Sequence, residues 1–245
     1  MGEALIASVC ITLLSTVGAL VLGEHRRLQG VHRFILPVAV GVFLGITFFE
    51  LVPETLEVSP EFGPIAILVG LLGFYLLSHI LDTYHHHHGD DHDTCSQNGA
   101  KKLLIGDAIH NLADGVVIAS AFMINPMVGL LTTVGIALHE IPQEIAEFGV
   151  LRAARYTVRK AILLNMLSAS TVVLGVLLTY LLSGGLGNYT YILTGVAAGN
   201  LLYIATADLI PELRHSHRDH FIKSFLVTLV SAAFIGTLVT FGHSL

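Results

Sequence analysis

Charge is scarce in this sequence. Only 12% of its 245 residues are Asp, Glu, Lys or Arg, against 53% hydrophobic, and the mean hydropathy is +0.76. Ordinary soluble domains carry about 25% charged residues, so a water-soluble globule is excluded and a polytopic membrane protein is implied. Cysteine is scarce too. With Cys10 and Cys95 alone, no disulfide framework follows, and little thiolate is on offer for a soft ion such as Cu(I). No basic residue precedes the first apolar segment, whose nearest arginines, Arg26 and Arg27, come after it. That order is wrong for a cleaved leader, so the segment is expected to be a retained span with its N-terminus outside. Neither a nucleophile elbow nor a phosphate loop occurs, and no nucleic-acid partner is expected.

What is there is apolar sequence in pieces the length of a bilayer crossing. At about 20 residues per span, eight candidates are expected, at roughly 4–23, 34–54, 63–83, 102–124, 127–150, 160–182, 189–211 and 221–242. They fill residues 1–245 as one all-α integral membrane domain surrounded by lipid. The basic residues then segregate completely. Arg26, Arg27, Arg33, Lys101, Lys102, Arg152, Arg155, Arg159, Lys160, Arg214, Arg218 and Lys223 all fall at odd-numbered connections. By the positive-inside rule those connections are cytoplasmic and both termini lie outside.

The longest connection, 84–99, reads YHHHHGDDHDTCSQNG. It is polar low-complexity sequence without hydrophobic periodicity, expected to be disordered. His85, His86, His87, His88, Asp90, Asp91 and His92 give it the composition of a cytoplasmic metal-binding loop, as a receiver or a sensor, though incidental affinity of a flexible tract is an alternative. His215, His217 and His220 would add to that patch.

Two internal echoes point to a repeat. FFELVPETL, 48–56, closes the second span and TADLIPELR, 206–214, closes the seventh. With the orientation above, the shared acid-Leu-aliphatic-Pro-Glu core lies at opposite faces, as an inverted repeat of spans 1–3 and 6–8 requires. HNLAD, 110–114, and HEIPQ, 139–143, echo each other likewise on antiparallel fourth and fifth spans.

Ionisable residues at membrane depth are functional candidates because hydrocarbon penalises them. In the fourth span His110 and Asp114 are one turn apart on a shared face, with Asn111 adjacent. In the fifth, His139 pairs with Gln143 and Glu140 with Glu144 at the same spacing, and Glu147 lies a turn further in. Pro142 is expected to kink that helix. Both clusters sit at similar depth, and their pooled imidazole, carboxylate and amide groups suit zinc and other first-row divalent ions. Three other readings stay open: intrabundle hydrogen bonds for any single residue, a proton relay, and a membrane zinc hydrolase, since HEIPQ looks like an altered H-E-x-x-H helix. Toward the two faces, Glu50 and Glu54 near the outer end of the second span and Asp208 and Glu212 near the inner end of the seventh read as relays, or as charges at helix ends in the interface. Small residues such as Gly195 and Gly199 permit close helix contacts, within a chain or in a homodimer.

With HNLADG in the fourth span, HEIPQE in the fifth, eight spans and a His-rich loop after the third, the chain resembles the ZIP (Zrt-/Irt-like) metal transporters, and in particular the subgroup with H-E-x-P-H-E in the fifth span. The resemblance implies an eight-helix bundle of 3+2+3 arrangement, a two-metal site between helices four and five, and movement of zinc or a related ion (Fe²⁺, Mn²⁺, Cd²⁺) into the cytoplasm, with no catalysis. It implies His110, Asn111, Asp114, His139, Glu140 and position 143 as ligands, Asp114 as a bridge, and Asn165 near the site. Gln143 departs from the histidine usual there, which makes occupancy of a second metal position the open question; Glu144 is its neighbour, and Glu147 keeps a carboxylate below the site.

Overall fold

The computed structural model describes residues 1–22, 28–86, 97–186, 190–211, 213 and 221–242. Among them there is helix and no strand, as long apolar runs demand. In hydrocarbon every backbone N–H and C=O must be satisfied within its own segment, and a helix achieves this alone. In chain order the elements are α1 (Gly2–Leu22), α2 (Leu28–Ile46), a π-helical segment (Thr47–Leu51), α3 (Val52–Val58), α4 (Gly63–His86), α5 (Gln97–Ile124), α6 (Pro126–Ala153), α7 (Val158–Ala169), α8 (Thr171–Leu186), α9 (Thr190–Tyr203), a second π-helical segment (Ile204–Leu209) and α10 (Phe221–Gly242).

Among the described residues, five stretches are long and apolar enough to cross a bilayer: Ile35–Val58, Gly99–Ile124, Val158–Gly184, Thr190–Leu209 and Phe221–Thr240. Gly2–Leu14 and Gly63–His79 are shorter apolar helices. The 28-residue α6 is not among the five, because the run from His139 to Glu147 interrupts its apolar sequence. α4 and α5 reach further into the His-rich connection than expected, to His86 and from Gln97. Side chains at His85 and His86 are outside the description, and so altogether are His87, His88, Asp90, Asp91, His92, Glu212, His215, His217, His220 and four of the arginines, Arg26, Arg27, Arg214 and Arg218.

Local signals set several boundaries. Asn125 caps α6, its side chain accepting from the Met127 amide at 2.8 Å with Pro126 at the first helical position. Thr157 caps α7 in the same way through Lys160. Each π-helical segment sits just ahead of a proline, Pro53 or Pro211. A proline ring collides with the carbonyl four residues back; those residues, Phe49 and Ala207, are inside the π segments, where the wider turn moves the carbonyl aside. Pro142 does not have this effect: α6 is helical from Pro126 to Ala153, so the expected kink is not a break.

α5 and α6 touch each other, and between them they touch α1, α2, α4, α7, α8, α9 and α10. α4 packs on α9 and α2 on α10; α8 packs on α5 and α1 on α6; α9 reaches α5 and α2 reaches α6. The exterior is apolar, as along α10, where Phe221, Ile222, Phe225, Leu226, Leu229, Val230 and Phe234 are exposed. A soluble protein would not leave so continuous an apolar face to water. The interior holds the charges instead, with Asp114, Glu140 and Glu144 at 0% exposure.

The crossing of α5 and α8 is the tightest backbone approach. A Cβ on Gly115 would meet the Val172 carbonyl, and one on Gly175 the Leu112 carbonyl, so only glycine fits either position. Gly195 and Gly199 are spent inside the chain, against Ala66 and Ile67 of α4. We expect Gly115→Val to overpack the α5–α8 crossing and destabilise the bundle by about 1–3 kcal/mol, read as a lower midpoint in thermal unfolding of the detergent-solubilised protein, whereas Gly73→Ala, where an added Cβ meets nothing within 4 Å, should leave the midpoint unchanged.

Candidate metal centre

On α5, Asp107, His110, Asn111 and Asp114 recur at i, i+3, i+4 and i+7, and so form one stripe along a helix face. On α6, His139, Glu140, Gln143, Glu144 and Glu147 form a second. Packing α5 against α6 turns these stripes toward each other and sorts them into two groups, His110–Asp114–His139–Glu140 and Asp107–Glu144–Glu147.

The first group is a cage of four ligand atoms. His110 Nε2 lies 3.2 Å from His139 Nε2, 3.5 Å from Glu140 Oε1 and 3.9 Å from Asp114 Oδ2. His139 Nε2 lies 3.4 Å from Asp114 Oδ2 and 3.2 Å from Glu140 Oε1. A tetrahedral zinc with bonds of about 2.0–2.2 Å needs ligand atoms about 3.3–3.6 Å apart. The five separations bracket that spacing, so an ion would meet four donors already gathered.

Burial makes the cage dry on three sides. The side chains of Asp114 and Glu140 are 0% exposed and that of His139 is 2%, but that of His110 is 18%. His110 is therefore the most exposed of the four. No hydroxyl, amide or backbone N–H among the described residues satisfies the Asp114 or Glu140 oxygens. His139 Nδ1 also lacks a hydrogen-bond partner; its ring is held by packing, edge-on to Phe43 of α2 at 5.1 Å between centroids and 70°.

The second group is all carboxylate. Asp107 is firmly anchored: Gln143 donates to its Oδ1 at 2.8 Å, while Asn111 at 3.0 Å and Ser168 of α7 at 2.7 Å donate to its Oδ2. Ser168 also donates to the Leu104 carbonyl, and Thr171 to that of Ala108, which pins α7 and α8 beside this turn of α5. Glu144 and Glu147 are held less firmly, with none of their oxygens in good hydrogen-bond geometry among the described residues. With all three oxygens inside 4.8 Å, each pair of like charges repels by roughly 3 kcal/mol or more at an effective dielectric near 20.

The structure thus distributes the expected site residues. His110, Asp114, His139 and Glu140 converge. Gln143 is a donor to Asp107, and Glu144 stands with Glu147 in the carboxylate group. Asn111 lies between the groups, its amide nitrogen on Asp107 and its carbonyl oxygen without a partner. Asn165 of α7 is buried, with neither amide atom hydrogen-bonded. Glu50, buried, and Asp208, exposed, each lie in a π segment, and half-buried Glu54 lies in α3; none of the three joins either group. Asp107 was not anticipated, although its position three residues before His110 on the same face was the available signal.

Comparison with known proteins follows the same stretch of chain. The family model described as ZIP Zinc transporter matches residues 99–239. The chain is 36% identical over 135 residues to Zinc transporter ZIP10 of Mus musculus, covering 55% of this chain and 16% of that protein. It is 38% identical over 111 residues to Zinc transporter ZIP4 of Rattus norvegicus, covering 45% and 17%. It is 24% identical over 237 residues to Zinc transporter YKE4 of Saccharomyces cerevisiae, covering 84% and 67%. The chain therefore spans about a sixth of the length of the mammalian relatives it matches.

Because Gln143, Asn111 and Ser168 all donate to Asp107, and Asn111 and Ser168 keep the Asp107 and Leu104 backbone carbonyls as second acceptors, Asp107→Ala should strand chiefly the Gln143 amide and destabilise the fold by about 1–3 kcal/mol. Asn165→Ala, which removes no hydrogen bond among the described residues, should cost less. Equal shifts in thermal midpoint for the two variants would contradict the anchoring role.

Proposed function

The chain belongs to the ZIP zinc transporter family, and from that premise we propose that it carries a divalent metal ion, zinc first, across the membrane into the cytoplasm by alternating access through the His110–Asp114–His139–Glu140 cage. The observation that carries this reading is the spacing of the four ligand atoms, 3.2–3.9 Å in the five pairs measured, which suits a tetrahedral ion with two nitrogen and two oxygen ligands. Fe²⁺, Mn²⁺ and Cd²⁺ also accept such mixed donors. Four protein ligands leave no open position for an activated water, which a catalytic zinc requires, so geometry gives the hydrolase reading no support; the relatives, too, are named as transporters.

The proposed architecture is eight spans across residues 1–245 in a 3+2+3 bundle, α5 and α6 between two inverted three-span repeats. Helix contacts support it. Exchanging α1 with α7–α8, α2 with α9, α4 with α10 and α5 with α6 carries each of the main contacts into another: α4·α9 into α10·α2, α5·α8 into α6·α1, and α5·α9 into α6·α2. The matching π segments ahead of Pro53 and Pro211 obey the same exchange. Under this symmetry Glu50 with Glu54 and Asp208 with Glu212 are equivalent relays at opposite faces, the first receiving the ion and the second releasing it.

Both termini face outward and the connection 84–99 faces the cytoplasm of a plasma or inner membrane. An ion enters past Glu50, exchanges its water for the cage, and leaves past Glu147, Asn165 and Asp208 toward the histidine tract. A homodimer is compatible with this arrangement but draws no support from Gly195 and Gly199, which pack against α4.

In proteoliposomes holding a zinc-sensitive dye, wild-type protein should admit Zn²⁺, and His139→Ala should slow uptake by about a hundredfold or more, since it deletes one ligand and leaves a buried carboxylate uncompensated. Uptake by the variant at the wild-type rate contradicts the cage. Lowering external pH should reduce uptake, because protons compete for the same imidazole and carboxylate atoms. Deleting residues 85–93 should change rate or regulation while leaving transport; complete loss contradicts an accessory loop.

A further inference from the structure

Away from the metal centre, basic residues gather around a small buried core where α6 turns into α7. Ala100 of α5, Phe148 and Leu151 of α6, Ala154 and Tyr156 of the turn and Ala161 of α7 form an apolar cluster separate from the main one. Lys101 and Lys102 follow Ala100 in sequence, Arg155 stands between Ala154 and Tyr156, and Arg159 and Lys160 lead into Ala161. All five are exposed, as is Arg152. One core thus presents the cations of three helices at one end of the bundle.

The turn is fixed. Arg152 donates to the Tyr156 carbonyl, and the Tyr156 amide donates to the Leu151 carbonyl at 3.1 Å. Lys160 Nζ lies over the Tyr156 ring, 5.0 Å from its centroid. Arg155 has φ 63°, the left-handed region that a glycine enters freely and a side chain disfavours. A guanidinium is therefore held out from a strained position on a closed turn. No acid lies nearby in sequence: 97–106 and 149–164 contain neither Asp nor Glu. Among the described residues no carboxylate pairs with Lys101, Arg152, Arg155, Arg159 or Lys160.

One turn further along each helix the exposed residues are apolar. On α5, Lys101 is followed at i+4 by Ile105, 60% exposed; on α7, Arg159 and Lys160 are followed by Leu163, 51% exposed, and then Leu167, 54% exposed. Helical spacing puts each set on one face. Cations at the edge of an open apolar face match both halves of a lipid, phosphate and acyl chain, whereas a free phosphate or a soluble acidic protein would use the cations alone.

We propose that the α6–α7 turn, with the first turns of α5 and α7, binds one anionic phospholipid, its phosphate among Lys101, Arg155 and Arg159 and its chains along Ile105, Leu163 and Leu167. Cations beside a membrane attract anionic lipids in general. The fixed turn adds selectivity, because a guanidinium can fork onto two phosphate oxygens. Nothing in this site depends on the transport reading.

The test is native mass spectrometry of the full-length protein in detergent micelles, titrated separately with dioleoylphosphatidylglycerol, dioleoylphosphatidylcholine and inorganic phosphate. Wild type should bind its first phosphatidylglycerol about tenfold or more tightly than phosphatidylcholine. R155G, whose glycine suits φ 63°, should keep or raise the thermal midpoint yet weaken phosphatidylglycerol about fivefold. K101Q/R155G/R159Q should abolish the preference and leave phosphatidylcholine binding unchanged. K223Q, which removes an exposed charge at the start of α10, should change neither. Equal weakening by R155G and K223Q overturns the site, since net charge alone then sets the affinity. Inorganic phosphate binding that R155G weakens, with no preference between the two lipids, overturns it as well and makes the turn a free-anion site. If the triple variant does not purify as a monodisperse protein, R155G against K223Q decides.

Discussion

Hydrocarbon penalises a charged or ionisable side chain by a few kcal/mol even on insertion scales, and between Asp107 and Glu147 this chain places seven of them on two neighbouring helices. Mutual proximity makes that burial tolerable. In the cage each imidazole faces two carboxylates at 3.2–3.9 Å, so the groups compensate one another, and a divalent ion among them would do so more completely. In the carboxylate group one member, Asp107, is compensated by three neutral donors. The same burial that makes these groups costly gives them their affinity, since a low-dielectric site strengthens every remaining electrostatic contact.

The rest of the structure serves to hold α5 against α6 at that point. Gly115 and Gly175 let α8 lie directly on the backbone of α5. Ser168 and Thr171, at the junction of α7 and α8, bond to the Leu104 and Ala108 carbonyls, one turn apart on α5. From the other side Phe43 of α2 fixes the His139 ring. Each contact involves a helix outside the central pair, so a movement of the flanking helices would be transmitted to the ligands. The π segments ahead of Pro53 and Pro211 lie on α2 and α9, the helices that reach α6 and α5 respectively; widened turns of this kind recur at functional sites because their backbone pairing is weaker than that of a regular helix.

Much of this was legible in the sequence because membrane depth makes polar residues conspicuous. His110, Asp114, His139 and Glu140 stood out against apolar flanks, and helical periodicity alone placed them on shared faces. The prolines in the two echoing motifs marked the places where the helix widens, though not the form of the widening. At Pro142 the helix continues, with α6 helical from Pro126 to Ala153. The family resemblance implies position 143 as a ligand; the donation of Gln143 to Asp107 depends on how α5 and α6 are turned against each other, which no local pattern records. Asp107 itself lay near the mouth of its expected span, where a carboxylate looks like an ordinary helix-end charge. Its importance comes from α7, whose Ser168 arrives from more than sixty residues away.

Transport through the cage depends on one ion resting among four named atoms. Anomalous diffraction at the zinc absorption edge, from crystals of the zinc-loaded protein, tests this most directly. A peak within about 2.0–2.2 Å of His110 Nε2, His139 Nε2 and one oxygen each of Asp114 and Glu140 is the expected result. Zinc bound elsewhere between α5 and α6, with either imidazole turned away from it, would contradict the account.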